Sequence, residues 1–121
     1  MRSAAQAYRK VARQIATPRE LEANLLLRSA AQLQAVSSAW KERQDELREA
    51  LLFNRKLWSV LMASVTSKDN PLPTDIRQNV ANIGLFVMKQ TMVTSVEPHP
   101  DKLRPLIEIN REIATGLLAR V

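Results

Sequence analysis

Apolar residues recur at helical rather than strand spacing along almost the whole chain. Over residues 3–16, Ala4, Tyr8, Val11 and Ile15 fall at i, i+4, i+7 and i+11 and draw one narrow stripe. A helix this short and alanine-rich is expected to pack weakly and to swing away from the rest. Thr17-Pro18-Arg19-Glu20 then reads as a capping box, with proline at the first helical position and glutamate three residues after the cap. The helix it opens is predicted to run to about Ser37. Its face carries Leu26, Ala30, Leu33, Ser37 and Trp40, and Leu21, Leu25 and Leu27 make it broader than one neighbour needs.

The mixed-charge run from Lys41 to Glu49 predicts a solvated helical opening with i, i+4 pairs. After it, Leu47, Leu51, Asn54, Trp58, Leu61 and Val65 form a single seam. Lys68-Asp69-Asn70-Pro71-Leu72-Pro73 ends that helix, because each proline disfavours α conformation in the residue before it. The next helix, about Pro73 to Thr94, has Ile76, Val80, Ile83, Val87 and Thr91 inward, with Leu85, Phe86, Met88 and Met92 beside them. Gly84 in its interior costs about 1 kcal/mol against alanine, which predicts close approach by another helix backbone. Beyond Glu97-Pro98-His99-Pro100, a last helix places Leu106, Ile109 or Asn110, Ile113 and Leu117 on one face. The expected fold is therefore all-α: one domain over residues 1–121, a bundle of about five helices with 1–16 a mobile N-terminal helix. Its predicted core is Leu51, Trp58, Leu61, Ile83, Val87, Ile109, Ile113 and Leu117.

Composition agrees with that class. A chain of 121 residues can bury a core without metal or disulfide support, and two glycines are too few for a turn-rich β fold. With no cysteine there is no disulfide framework and no thiolate chemistry. No run approaches a membrane span, and the basic N-terminus has no apolar signal region, so neither export by a cleaved signal nor bilayer insertion is expected. The net charge of +6 is uneven: residues 1–38 carry six basic residues against Glu20 and Glu22, whereas residues 39–121 carry twelve against ten. That excess fits a solvated helix face, an acidic protein partner, or RNA or an anionic membrane; few aromatics are available to stack bases.

Catalytic chemistry finds little to stand on. The single histidine, His99, lies between two prolines in a connection, and no phosphate loop, nucleophile set or metal-ligand spacing is present. No enzyme activity, cofactor or metal is expected. Asn54 and Asn110 instead interrupt apolar seams, and two readings stand for them. A buried amide can fix which helices pair, or it can satisfy the backbone end of an incoming helix. Trp58 reads as a core anchor, Trp40 as either core or contact. Met62, Met88 and Met92 suit core filling or an adaptable groove.

At these residues the chain resembles the FlaF family of flagellar biosynthesis regulators. The matching words are Asn54-x-x-Leu57-Trp58, Asn70-x-Leu72-Pro73, Ile83-Gly84-Leu85-x-Val87-Met88-Lys89, Leu106-Ile107-x-Ile109-Asn110-Arg111-x-Ile113 and Gly116-Leu117. Ala7-Tyr8 and Pro18-Arg19-Glu20-Leu21-Glu22 add to them near the N-terminus. Phe86 departs from the family's usual tryptophan, and Glu97-Pro98-His99-Pro100 replaces a glycine-containing turn. The resemblance implies a cytoplasmic protein required for flagellin production and export, acting with or against the regulator FlbT and binding flagellin as a secretion chaperone. A partner surface is expected at Leu21, Leu25 and Trp40, steered by Arg9, Arg13, Arg19 and Arg28. The family motif makes Asn54, Trp58, Asn70, Pro73, Gly84, Asn110, Arg111 and Gly116 its structural residues. Two other readings are a basic RNA-binding regulator of flagellin mRNA and a scaffold for FlbT without flagellin contact.

Overall fold

In a computed structural model of the chain, which describes Ala4 and residues 18–119, the apolar seams within residues 18–119 become the buried sides of helices. Helix α1 spans Pro18–Ser38, and a four-residue helix α2, Trp40–Arg43, follows it. A 3-10 turn at Gln44–Glu46 leads into α3, Leu47–Thr66. Helix α4 is Thr74–Val96, and a second 3-10 turn at Pro100–Leu103 precedes α5, Arg104–Ala119. Among the described residues there are thus four long helices and no strand. The sequence predicts about five; the first of these, with the Thr17 cap, falls outside the described residues.

Helix α1 is the centre of the bundle. It packs chiefly on α5 and also on α3, while α4 lies mainly against α3 and meets α5 far less. Contacts of Glu22 with Ser64 and of Ser29 with Asn54 run α1 and α3 antiparallel. Ala23, Leu26, Ala30 and Leu33, three or four residues apart, are fully enclosed, and the two alanines allow close approach of the neighbouring backbone. Leu61, Leu103 and Leu106 join them, each enclosed leucine contributing roughly 1.5–3 kcal/mol.

The expected core needs correction at three positions. Leu51, Trp58, Leu61, Val87 and Leu117 are buried, but Ile83, Ile109 and Ile113 are half-buried and pack on the edge. On α5 the contact face is centred on Asn110 and Ala114, one residue around from Ile109 and Ile113. On α4 a single principal neighbour leaves the inner stripe open on its flanks, so Ile76 and Ile83 remain partly accessible.

Local devices set the helix ends. Asn70 turns the chain between α3 and α4: its Nδ2 donates to the Ser64 carbonyl at 3.1 Å, and its Oδ1 accepts from the Leu72 amide at 3.0 Å. Leu72 is thereby held in the core, and Pro73 stands as the N-cap of α4. His99 caps the second 3-10 turn, its Nδ1 accepting from the Asp101 amide at 3.1 Å. Gly84 is matched by a side chain, not by a helix backbone as predicted: a Cβ there would stand 2.6 Å from both Cγ and Sδ of Met62. No helix among the described residues is long and apolar enough to cross a membrane.

Candidate functional site

Two features stand apart from ordinary core packing, one closed and one open. The closed one is a chain of polar groups through the bundle centre. Trp58 Nε1 donates to Asn110 Oδ1 at 2.8 Å, Asn110 Nδ2 donates to Asn54 Oδ1 at 2.7 Å, and Ser29 Oγ donates to the same Oδ1 at 2.8 Å. An indole N–H can only donate, so it dictates which end of the Asn110 amide it meets; that choice in turn orients Asn54. All four residues are fully buried, and they tie α1, α3 and α5 together. Asn54 Nδ2 is left with no protein partner. None of the four side chains is an ordinary acid or base, and the arrangement fixes which helices pair.

The open feature is a groove of about 930 Å³ between α3 and α4, comparable to roughly two turns of a helix about 10 Å across. From Met62 in the Gly84 notch, where the two helices touch, the groove lies toward the start of α3 and the end of α4. On one side are Leu47, Leu51 and Leu52, with Arg48 and Arg55 among them; on the other are Met88, Thr91, Met92, Ser95 and Val96. Leu52 is 44% exposed, Met92 63% and Val96 81%, a high proportion for large apolar side chains and a mark of an interaction surface. Thr91 Oγ1 donates to the Val87 carbonyl at 2.7 Å and Ser95 Oγ to the Thr91 carbonyl at 2.9 Å. With both hydroxyls turned back onto their own helix, that wall presents an apolar face.

The partner residues expected from the sequence do not line this groove. Leu21 and Leu25 are exposed on α1, and Arg28 is exposed with its guanidinium 5.6 Å from the centroid of the Phe53 ring. Arg19 is half-buried and engaged in an interaction, and Trp40 is half-buried against the core. Arg9 and Arg13 lie outside the described residues. Of the motif residues, Asn54, Trp58, Asn110 and Gly84 are buried, Asn70 and Pro73 build the α3–α4 connection, and Arg111 and Gly116 are exposed on α5. A Cβ on Gly116 would meet nothing within 4 Å. Sequence reasoning did point to Met88 and Met92 as potential groove residues. It passed over Leu52, Arg48, Arg55 and Val96, although Arg48, Leu52 and Arg55 recur at i, i+4 and i+7 along α3.

No group of three or more histidine, cysteine or acidic side chains that could hold a metal occurs among the described residues. The fold and its open face define a small all-α module with an amide-locked centre and an apolar surface. A family model described as "Flagellar protein FlaF" matches residues 4–117, and the chain belongs to that family. No curated protein sequence and no solved structure matches it.

Proposed function

We propose that this flagellar protein binds flagellin in the cytoplasm as a secretion chaperone, without catalysis, and promotes flagellin production and export together with FlbT. The observation that carries this reading is the apolar groove between α3 and α4. Flagellin's terminal segments are long amphipathic helices that polymerise or are degraded if left exposed, and shielding one of them is a helix-in-groove problem. Leu52, Met92 and Val96 supply the apolar anchors, and the flexible methionines can adapt to a helix of imperfect fit.

Titration calorimetry with purified flagellin and the full chain tests the proposal. Binding should be lost, with the protein still folded, in Leu52→Asp and Met92→Asp, because both side chains are exposed and contribute little to the core. Neither heat nor co-elution at tens of micromolar, with both proteins folded, overturns it. Capture of a flagellin mRNA leader with a steep loss of affinity as salt rises would favour the RNA-binding reading instead.

A further inference from the structure

We infer that the α3–α4 groove selects an amphipathic helix whose edge carries two carboxylates about two turns apart, received by Arg48 and Arg55. This deepens the proposed function, resting on its premise that the groove receives a partner helix, and it commits to the chemistry of that helix. Arg48 and Arg55 are seven residues apart on one flank of α3, which places them about 10.5 Å apart along the axis. Both are exposed, and neither forms an ion pair among the described residues. Half-buried Arg43 and exposed Arg104 are matched to Glu46 and Asp101, while exposed Lys68 and Arg111, like Arg48 and Arg55, form no ion pair among the described residues. What sets Arg48 and Arg55 apart is their place in the groove lining.

No acidic residue lines the groove. The one carboxylate on α3, Glu49, sits a full residue step, about 100°, around the helix from Arg48 and away from the lining. On α4 the one carboxylate, Asp75, is in the first turn, at the opposite end from the groove. The groove therefore offers an apolar floor with two arginines on its α3 side and no carboxylate in its lining; of the acidic residues next to that lining in sequence, Glu97 is paired with Lys102 and Asp45 precedes α3. A helix laid along it, with apolar residues at i, i+4 and i+7 facing Leu52 and Met92, brings an edge over Arg48 and Arg55. Glutamates seven residues apart on that edge meet both guanidinium groups in a forked geometry that lysines or amides on the ligand cannot reproduce.

The test uses the full chain and three labelled helical peptides of about 21 residues that share one apolar face and carry Glu, Gln or Lys at the two edge positions. Fluorescence anisotropy should rank them Glu, then Gln, then Lys, with at least a tenfold span between first and last. Arg48→Gln with Arg55→Gln should reduce that span to less than twofold without altering the thermal midpoint. Removing two distant cations, Lys68→Gln with Arg111→Gln, should leave it intact, which separates local pairing from the attraction of the whole positively charged molecule. Equal affinity for the three peptides, no binding of any, or a preference untouched by the paired arginine substitutions overturns the inference. If the peptides behave as expected but flagellin does not bind, the groove's selectivity stands and the flagellin reading falls. If flagellin binds indifferently to Leu52→Asp, Met92→Asp and the arginine pair, flagellin binding stands and the groove assignment falls.

Discussion

Trp58 and Asn110 are separated by 52 residues in the chain, yet the indole of the first donates to the amide oxygen of the second at 2.8 Å with both side chains fully buried. Removing either group leaves the other without a partner in a place water does not easily reach. Asn110→Ala should therefore destabilise by about 1–3 kcal/mol, the cost of a stranded buried donor. Asn54→Ala should fall in the same range of about 1–3 kcal/mol, since it strands two donors, Asn110 Nδ2 and Ser29 Oγ, while removing an Nδ2 that already lacks a protein partner. Urea unfolding followed by tryptophan emission measures both, and midpoints equal to the parent's in the two variants would contradict the structural role of the amide chain.

Gly84 and Met62 should show strong coupling. Gly84→Ala alone gains helix propensity but forces Met62 out of its place, so the two effects oppose each other. With Met62→Ala in the background, the same change should stabilise by about 0.5–1 kcal/mol, since only the propensity gain remains. A double-mutant cycle by denaturant unfolding checks this, and additive effects would show that the notch is not shared.

Glu22 gives the fold a pH-dependent component. Burial raises its pKa, an effect partly offset by the hydrogen bond from Ser64 and by the charge of Arg19. The folded form consequently holds the proton more readily than the unfolded chain, and stability falls as pH rises through the interval just above the ordinary glutamate range. Glu22→Gln should remove that decline and be the more stable form above the interval. Denaturation midpoints across a pH series decide the matter, a parallel profile for parent and variant being the contrary result.

Helix α4 should open before the rest. It packs mainly on one neighbour and takes no part in the buried amide chain, whereas α1, α3 and α5 are tied together by it. Amide hydrogens of α4 are expected to exchange through a local opening of lower free energy than global unfolding, and a groove-bound helix should slow them selectively. Protection of α4 equal to that of α1 would disprove this.

The sequence showed the seams more clearly than their surroundings. Periodicity placed Leu51, Trp58 and Val87 inward because those residues lie at the centre of their stripes, where a rotation of some tens of degrees changes nothing. Ile109 and Ile113 lie one step from the centre of the α5 contact face, and only the packed neighbours reveal which side of that step is covered. The same limit applies to the groove. Leu52 and Arg55 look like a solvated flank until α4 is set beside them, since a groove belongs to two helices and neither helix alone specifies the space between them. Gly84 was legible as a place of close contact, but the identity of the contacting atoms, a methionine side chain rather than a backbone, depends on the relative position of two helices.

The buried amide chain also bears on the speed of unfolding. Its bonds join residues 25, 52 and 56 apart, so it can close only after three separate helices have come together. Closing such distant contacts costs chain entropy that is repaid only when all three helices have docked, so the network is expected to form on the native side of the folding barrier. Its energy then slows escape from the folded state more than it hastens arrival there. The Trp58–Asn110–Asn54–Ser29 chain is therefore expected to lengthen the lifetime of the folded protein, with little effect on how quickly that fold first forms, and stopped-flow unfolding and refolding of Asn110→Ala checks it.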